Sequence, residues 1–322
     1  MRIIRNLYWK QKATVQVGER KTEWIEIKKG VRQGCILSPD LFSLYSQKAM
    51  EELEDLEGVR VGGVNVNNIR YVGDTVLIAD SEEKLQELVE TLHGACAAMG
   101  LQINLGRGKT EVMGLTKRAQ DLTVNINLQG RRIHQVENYK YLGAMVTKDG
   151  KCEGEVLKRI GMAKNRFNEM RKVLTNMNIS MRLRLRLLKC FIWSVLLYGC
   201  EAWTLDQKLR RRIEAVEMWF LRRMQRIPWT ARVTNVRVME MAGVRRELLG
   251  TVRKRQLKFL GHLLRHDCLE KTVFLGKIEG RRARGRQRLK FGASLIEDIP
   301  GEMKKRCFLG RLRGEGREAD KD

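Results

Sequence analysis

The chain has 322 residues, 43% hydrophobic and 31% charged with only three prolines, which excludes a disordered or linker-rich architecture and leaves room for one large core or two modest ones. Its formal net charge of +25 is unevenly placed: residues 1–150 carry 21 Lys and Arg against 19 Asp and Glu, and residues 151–322 carry 42 against 19. That asymmetry makes a polyanion, nucleic acid first, the expected partner of the second half. No apolar run reaches the roughly 18–20 residues of a membrane span, so no membrane partner is expected. The N-terminal residues show no secretory pattern. Seven scattered cysteines without a Cys-x-x-Cys pair fit reduced thiols in a nuclear or cytoplasmic protein.

Alternation over residues 12 to 30 predicts a hairpin, Thr14–Val17 against Trp24–Ile27 around Gly18-Glu19. Residues 40 to 57 read as a helix, with Pro39 at its start and Gly58 at its end. Val59–Val61 and Val64–Val66 flank Gly62-Gly63 and lead into a strand-like stretch from Ile69 to Ala79. Ser81 reads as the N-cap of a helix whose apolar residues Leu85, Leu88, Leu92, Cys96 and Met99 recur at helical spacing until Gly100. Strands are expected at Leu101–Asn104, Thr110–Gly114, Leu122–Leu128 and Tyr139–Val146. The first 150 residues are therefore α+β, with helices on one side of a mainly antiparallel sheet.

From about residue 151 the period becomes helical throughout. Val156, Ile160, Ala163, Phe167 and Leu174 define one amphipathic helix. Ser180 caps a second that runs to Leu197, and Asp206 caps a third that ends before Pro228. A fourth spans about Arg245 to Arg265, and the tail from Arg311 reads as frayed.

Several positions carry possible chemistry. Asp74 sits between two apolar arms in Tyr71-Val72-Gly73-Asp74 and is the candidate metal ligand, with an ordinary turn aspartate as the less favoured alternative. Lys109, after Gly106-Arg107-Gly108, is as readily a solvated loop lysine as a phosphate contact. His262, His266 and Cys268 lack a second ligand pair at zinc spacing and read as structural or surface groups. Trp193, Trp203, Trp219 and Trp229 read as core, with Trp219 buried. Arg281, Arg282, Arg284, Arg286 and Arg288, with Gly285 among them, form a run suited to gripping phosphates or to serving as a nuclear localisation signal.

Five segments in order, Gly30-Val31-Arg32-Gln33-Gly34 through Leu41-Phe42, Tyr71–Asp74, Gly100–Asn104 with Lys109, Tyr139–Gly143, and Leu196–Trp203 with the later Gly261-His262 and 280–286, resemble the reverse transcriptases of non-LTR (LINE-like) retrotransposons. The resemblance implies a partial palm over 1–150, a helical thumb-like region over 151–230 and a basic helical C-terminal region over 231–322. It implies a template and nucleotide pocket shaped by Arg32, Gln33, Gly34 and Lys109, and a primer grip at Tyr141, Leu142 and Gly143. It also implies RNA, DNA or an RNA–DNA hybrid as partner. Oligomeric state is left open.

In that family clustered carboxylates hold two magnesium ions, one activating the primer hydroxyl and one steadying the leaving pyrophosphate. Asp74 matches the second aspartate of the hairpin pair, and Gly73 stands where the first would be. Residues 1–29 contain no aspartate to match the upstream ligand. The expectation is a chain that starts after the first catalytic motif, retains nucleic-acid binding, and does not bind magnesium productively or polymerise by itself. The alternative is a non-catalytic binding or interaction protein, or a retroelement remnant.

Overall fold

The computed structural model describes residues 2–106, 108–115 and 122–275. In chain order the elements begin with α1 (Arg2–Tyr8), β1 (Gln11–Ala13), β2 (Gln16–Val17), β3 (Arg20–Lys21), β4 (Ile25–Ile27) and α2 (Ser38–Glu51). Four strands follow, β5 (Val59–Val61), β6 (Val64–Val66), β7 (Asn68–Tyr71) and β8 (Asp74–Leu77), and then α3 (Glu82–Ala98). Next come β9 (Glu111–Val112), β10 (Asn127–Leu128), β11 (Arg131–Arg132), β12 (His134–Gln135), β13 (Asn138–Tyr141) and β14 (Ala144–Thr147). Helices then follow one another: α4 (Glu153–Glu169), α5 (Arg171–Leu174), α6 (Met181–Leu187), α7 (Ser194–Leu196), α8 (Gln207–Met224), α9 (Asn235–Ala242), α10 (Leu248–Arg265) and α11 (Leu269–Leu275). The chain divides into two compact units, one of residues 1–60, 65–110 and 125–134, the other of 61–64, 111–124 and the described residues from 135 onward. No helix among the described residues is long and apolar enough to cross a membrane.

In the first unit α2 and α3 carry the core. Pro39 and Asp40 occupy the first turn of α2. Ser81 caps α3 by accepting from the Lys84 N–H, Glu82 and Glu83 complement its N-terminus, and Gly100 ends it at φ 70°. Ala49, Met50 and Leu53 pack on Leu88, Leu92 and Cys96. Across this seam Tyr45 Oη donates to the Met99 carbonyl at 2.5 Å. The Gln86 carboxamide bonds both backbone groups of Asn127, at 2.7 and 2.9 Å, and so attaches β10 to α3.

The mix of helix and antiparallel strand agrees with the sequence reading, but the single sheet does not form. Among the described residues the strands make seven separate two-stranded ladders, each only two to four residues long. Most of these ladders pair neighbouring strands across a short turn, which satisfies their backbone groups locally. Leu101–Asn104, expected as a strand, is irregular: Leu101 and Ile103 pack against the α2–α3 core, and the Asn104 carboxamide accepts from the Gly106 N–H. The N-terminal hairpin also divides differently. β2 pairs with β3 around Gly18, and β1 pairs with β4. Between them the Thr22 hydroxyl accepts the Val15 N–H at 3.0 Å and interrupts the ladder.

In the second unit α4, α8 and α10 and the long helix from Met181 to Leu196 enclose a core that includes Phe167, Leu174, Ile192, Ile213, Phe220 and Met224. Ser180 and Asp206 cap as expected, by accepting the N–H of Leu183 and of Leu209. The helix after Ser180 is interrupted by a π-helical stretch, Leu188–Trp193, which the sequence reading did not anticipate. A second apolar face of α8, Met218 and Leu221, packs on Val238 and Ala242 of α9. Trp193 and Trp203 are buried, but Trp219 is only half-buried. Its edge contacts with Phe167 and Phe220, at 5.4 and 5.3 Å, leave part of the ring at the surface.

Glu217 is buried on α8 and accepts the N–H groups of Glu247 and Leu248 at 2.9 and 3.1 Å, which caps α10 from another helix. Burial pushes its carboxyl above the usual range, against the lowering effect of those two bonds.

Candidate functional site

Asp74 opens β8 at the end of a two-residue loop. Tyr71 pairs with Asp74, Arg70 with Thr75, Ile69 with Val76 and Asn68 with Leu77. Val72 takes φ 55° while Gly73 lies outside the left-handed region, the pattern of a II′ hairpin with its positive φ at the first loop position. A β-branched residue there is strained by about 1–2 kcal/mol. Helix α2 supports the hairpin: Arg70 Nη1 donates to Gln47 Oε1 at 2.9 Å, and the nearest atom to a Cβ built at Gly73 is Phe42 Cε1 at 3.7 Å. The structure thus brings Phe42, downstream of the Gly30–Gly34 segment, against the Tyr71–Asp74 turn. Tyr71 and Asp74 are both exposed.

Arg32 donates through Nε to Gln11 Oε1 at 3.0 Å, and Gln11 in turn donates to the Leu7 carbonyl at the end of α1. The Arg32 carbonyl accepts from Ser38 Oγ at 2.6 Å, which folds the Arg32–Ser38 segment over the start of α2. Within it Gln33 and Gly34 are exposed, and Gly34 has φ 82°. The Tyr8 hydroxyl donates to Cys35 Sγ at 3.2 Å, and this bond leads the contacts that lower the Cys35 thiol below its usual range. Lys109 is exposed in a turn that its N–H closes on the Gly106 carbonyl at 3.0 Å.

A two-metal centre needs several hard oxygen ligands at one point. Among the described residues no three His, Cys, Asp or Glu side chains converge, and Gly73 contributes none beside Asp74. The described residues do not fit a magnesium centre of that kind.

Tyr141, Leu142 and Gly143 form the turn between β13 and β14, with Leu142 at φ 47° and Gly143 at φ 81°. Three groups that sequence reasoning did not single out hold this turn. Arg159 Nη2 donates to the Gly143 carbonyl at 2.6 Å, and the Tyr198 hydroxyl donates to the Leu142 carbonyl at 2.7 Å. Glu155 accepts from Arg159 Nε at 2.5 Å and from the Met145 N–H at 2.8 Å. The Arg159 guanidinium lies 4.4 Å from the Tyr198 ring centroid. Glu155 and Arg159 are both buried, so each charge depends on the other. Their i, i+4 spacing beside Val156 and Ile160 was the available signal. The run Arg281, Arg282, Arg284, Arg286 and Arg288 lies outside the described residues.

Residues 1–146 match the family described as reverse transcriptase (RNA-dependent DNA polymerase). A transposon-derived protein of Caenorhabditis elegans is 28% identical over 216 residues, 64% of this chain and 75% of that protein. The RNA-directed DNA polymerase from mobile element jockey of Drosophila funebris is 21% identical over 216 residues, 65% of this chain but 23% of its own length. The Pol polyprotein of the type-1 retrotransposable element R2 from Nasonia vitripennis is 23% identical over 157 residues, 47% of this chain and 15% of its own length. The chain thus spans less than a quarter of the two element polymerases. Its first 146 residues belong to the reverse transcriptase family. More narrowly, the relatives that this chain resembles are retroelement proteins, R2 and jockey among them.

Proposed function

We propose that this chain binds nucleic acid and does not extend a primer by itself. One observation carries the second clause: Gly73, which has no side chain to offer a metal, stands beside Asp74 in a turn where the backbone would accept another residue. In this reading Arg32, Gln33, Gly34 and Lys109 belong to a template and nucleotide pocket, and Tyr141, Leu142 and Gly143 to a primer grip. Arg281, Arg282, Arg284, Arg286 and Arg288 would grip phosphates. The excess of basic residues after 150 and the polymerase names of the relatives support nucleic acid as partner.

The test uses the purified chain with a labelled primer on an RNA template, magnesium and deoxynucleotides. No extension is expected from the wild type or from Gly73→Asp, and extension by the wild type would overturn the inactivity. Binding to labelled RNA and DNA should weaken steeply as salt rises, with little sequence preference. An affinity unchanged between low and physiological salt would overturn the binding role.

A further inference from the structure

Six arginines far apart in sequence meet in one cleft of the helical unit. Arg171, Arg211, Arg222, Arg223, Arg226 and Arg246 line a space of about 1110 Å³ beside α5, α8 and the start of α9. The single lining carboxylate, Glu214, is paired with Arg246 at 3.3 Å. Among the described residues the other five arginines meet no carboxylate. Two of them are nevertheless held in place: Arg222 Nη2 donates to the Val233 carbonyl at 2.6 Å and to Asn235 Oδ1 at 3.0 Å, and Arg226 Nε donates to the Thr175 carbonyl at 2.9 Å. Each guanidinium has five N–H donors, so these bonds leave donors for a ligand.

A concave surface with five uncompensated positive charges attracts anions, and guanidinium forks match phosphate oxygens. One small anion would neutralise only part of that charge, whereas a strand that repeats a phosphate at every nucleotide would neutralise it along its length. Trp219 also lines the cleft, but its ring is already engaged. The Arg223 guanidinium sits 4.2 Å from its centroid and the Lys164 ammonium 5.3 Å, while Phe167 and Phe220 pack against it. That arrangement fixes Arg223 and leaves the ring poorly placed to stack a base.

Resting on the nucleic-acid reading above, we propose that this arginine cleft seats the sugar–phosphate backbone of a single strand and grips phosphates without reading bases. None of the cleft's arginines belongs to the sequence run at 281–288. A grip on phosphates uses groups that RNA and DNA share, so the two should bind alike.

The test is a salt titration of the full chain against labelled oligo-dT and oligo-rU. Arg171 and Arg211 make no hydrogen bond or ion pair through their side chains among the described residues, so Arg171→Gln/Arg211→Gln should leave circular dichroism and melting unchanged. It should weaken binding about tenfold and make the slope of log affinity against log salt shallower by about 1.4, equally for both oligonucleotides. Arg171→Lys/Arg211→Lys should keep the slope. Lys254→Gln/Lys258→Gln, which removes the same charge from α10 outside the cleft, should do markedly less. If the wild type binds steeply and the glutamine pair behaves like the α10 control, the cleft assignment falls and nucleic-acid binding stands. A selective loss for oligo-rU would overturn the backbone-only grip. If the wild type binds neither oligonucleotide, both readings fall.

Discussion

The hairpins at 68–77 and 138–147 share a plan and differ in what their second loop residue is for. Each joins two four-residue strands through two loop residues, and in each the first is apolar and left-handed, Val72 at φ 55° and Leu142 at φ 47°. Glycine follows in both. Gly143 has φ 81°, and a Cβ there would meet the Tyr198 hydroxyl at 3.4 Å. Gly73 has no left-handed φ, and among the described residues the only neighbour of a Cβ there would be the Phe42 ring at 3.7 Å. The fold therefore demands glycine at 143 and tolerates other residues at 73. Around the second hairpin buried charges fix the backbone. At the first, Gly73 leaves room for the carboxylate that the reverse transcriptase resemblance implies there.

That contrast can be broken by substitution. Arg159→Ala should cost the most, about 3–5 kcal/mol in urea unfolding, because it leaves Glu155 buried and unpaired and removes the bond to Gly143. A loss under about 1 kcal/mol would show that the second hairpin does not depend on that pair. Gly143→Asp should cost about 1–2 kcal/mol from left-handed strain, whereas Gly73→Asp should change stability by less than about 0.5 kcal/mol. Equal losses at the two glycines would end the comparison. Val72→Asn should stabilise by about 0.5–1 kcal/mol, since asparagine tolerates the left-handed region better than valine does.

The smallest effect concerns pH. Glu217 has its folded pKa raised above the ordinary 4.5 by burial, with Glu247 adding to the rise and Arg246 opposing it. It therefore holds its proton more tightly folded than unfolded, and its contribution to stability is lost as pH rises from about 4.5 through the folded value. Glu217→Gln keeps an acceptor for the two N–H groups of α10 and should flatten that fall in melting temperature. An unchanged pH profile would count against a raised Glu217.

Local signals were legible because they act over a few residues. Ser81, Ser180 and Asp206 cap the helices they were expected to cap, since a side-chain oxygen need reach only two or three residues ahead. Helix α9 does not stand out in the sequence although Thr234 caps it and Gly243 ends it at φ 65°, because its eight residues span barely two turns, too short a window for a period to be read. Leu101–Asn104 alternates in burial as a strand would, yet forms no ladder: alternation reports which side faces a core and does not supply a pairing partner. Of the candidate site, the Tyr71–Asp74 turn and the Tyr141–Gly143 turn were readable as motifs. The residues that hold the second turn were not.

The amino-acid sequence by itself determined the family resemblance, the helical character of the second half, the excess of positive charge there and the absence of a carboxylate at position 73. Each of these is a matter of residue identity or short-range spacing. Only the tertiary structure decided that the Gly143 backbone is left-handed while that of Gly73 is not. It also decided that Glu155, Arg159 and Tyr198 hold one hairpin, and that arginines from 171 to 246 share a cleft. Those outcomes depend on which helix faces pack together, and long-range packing leaves no fixed spacing along the chain.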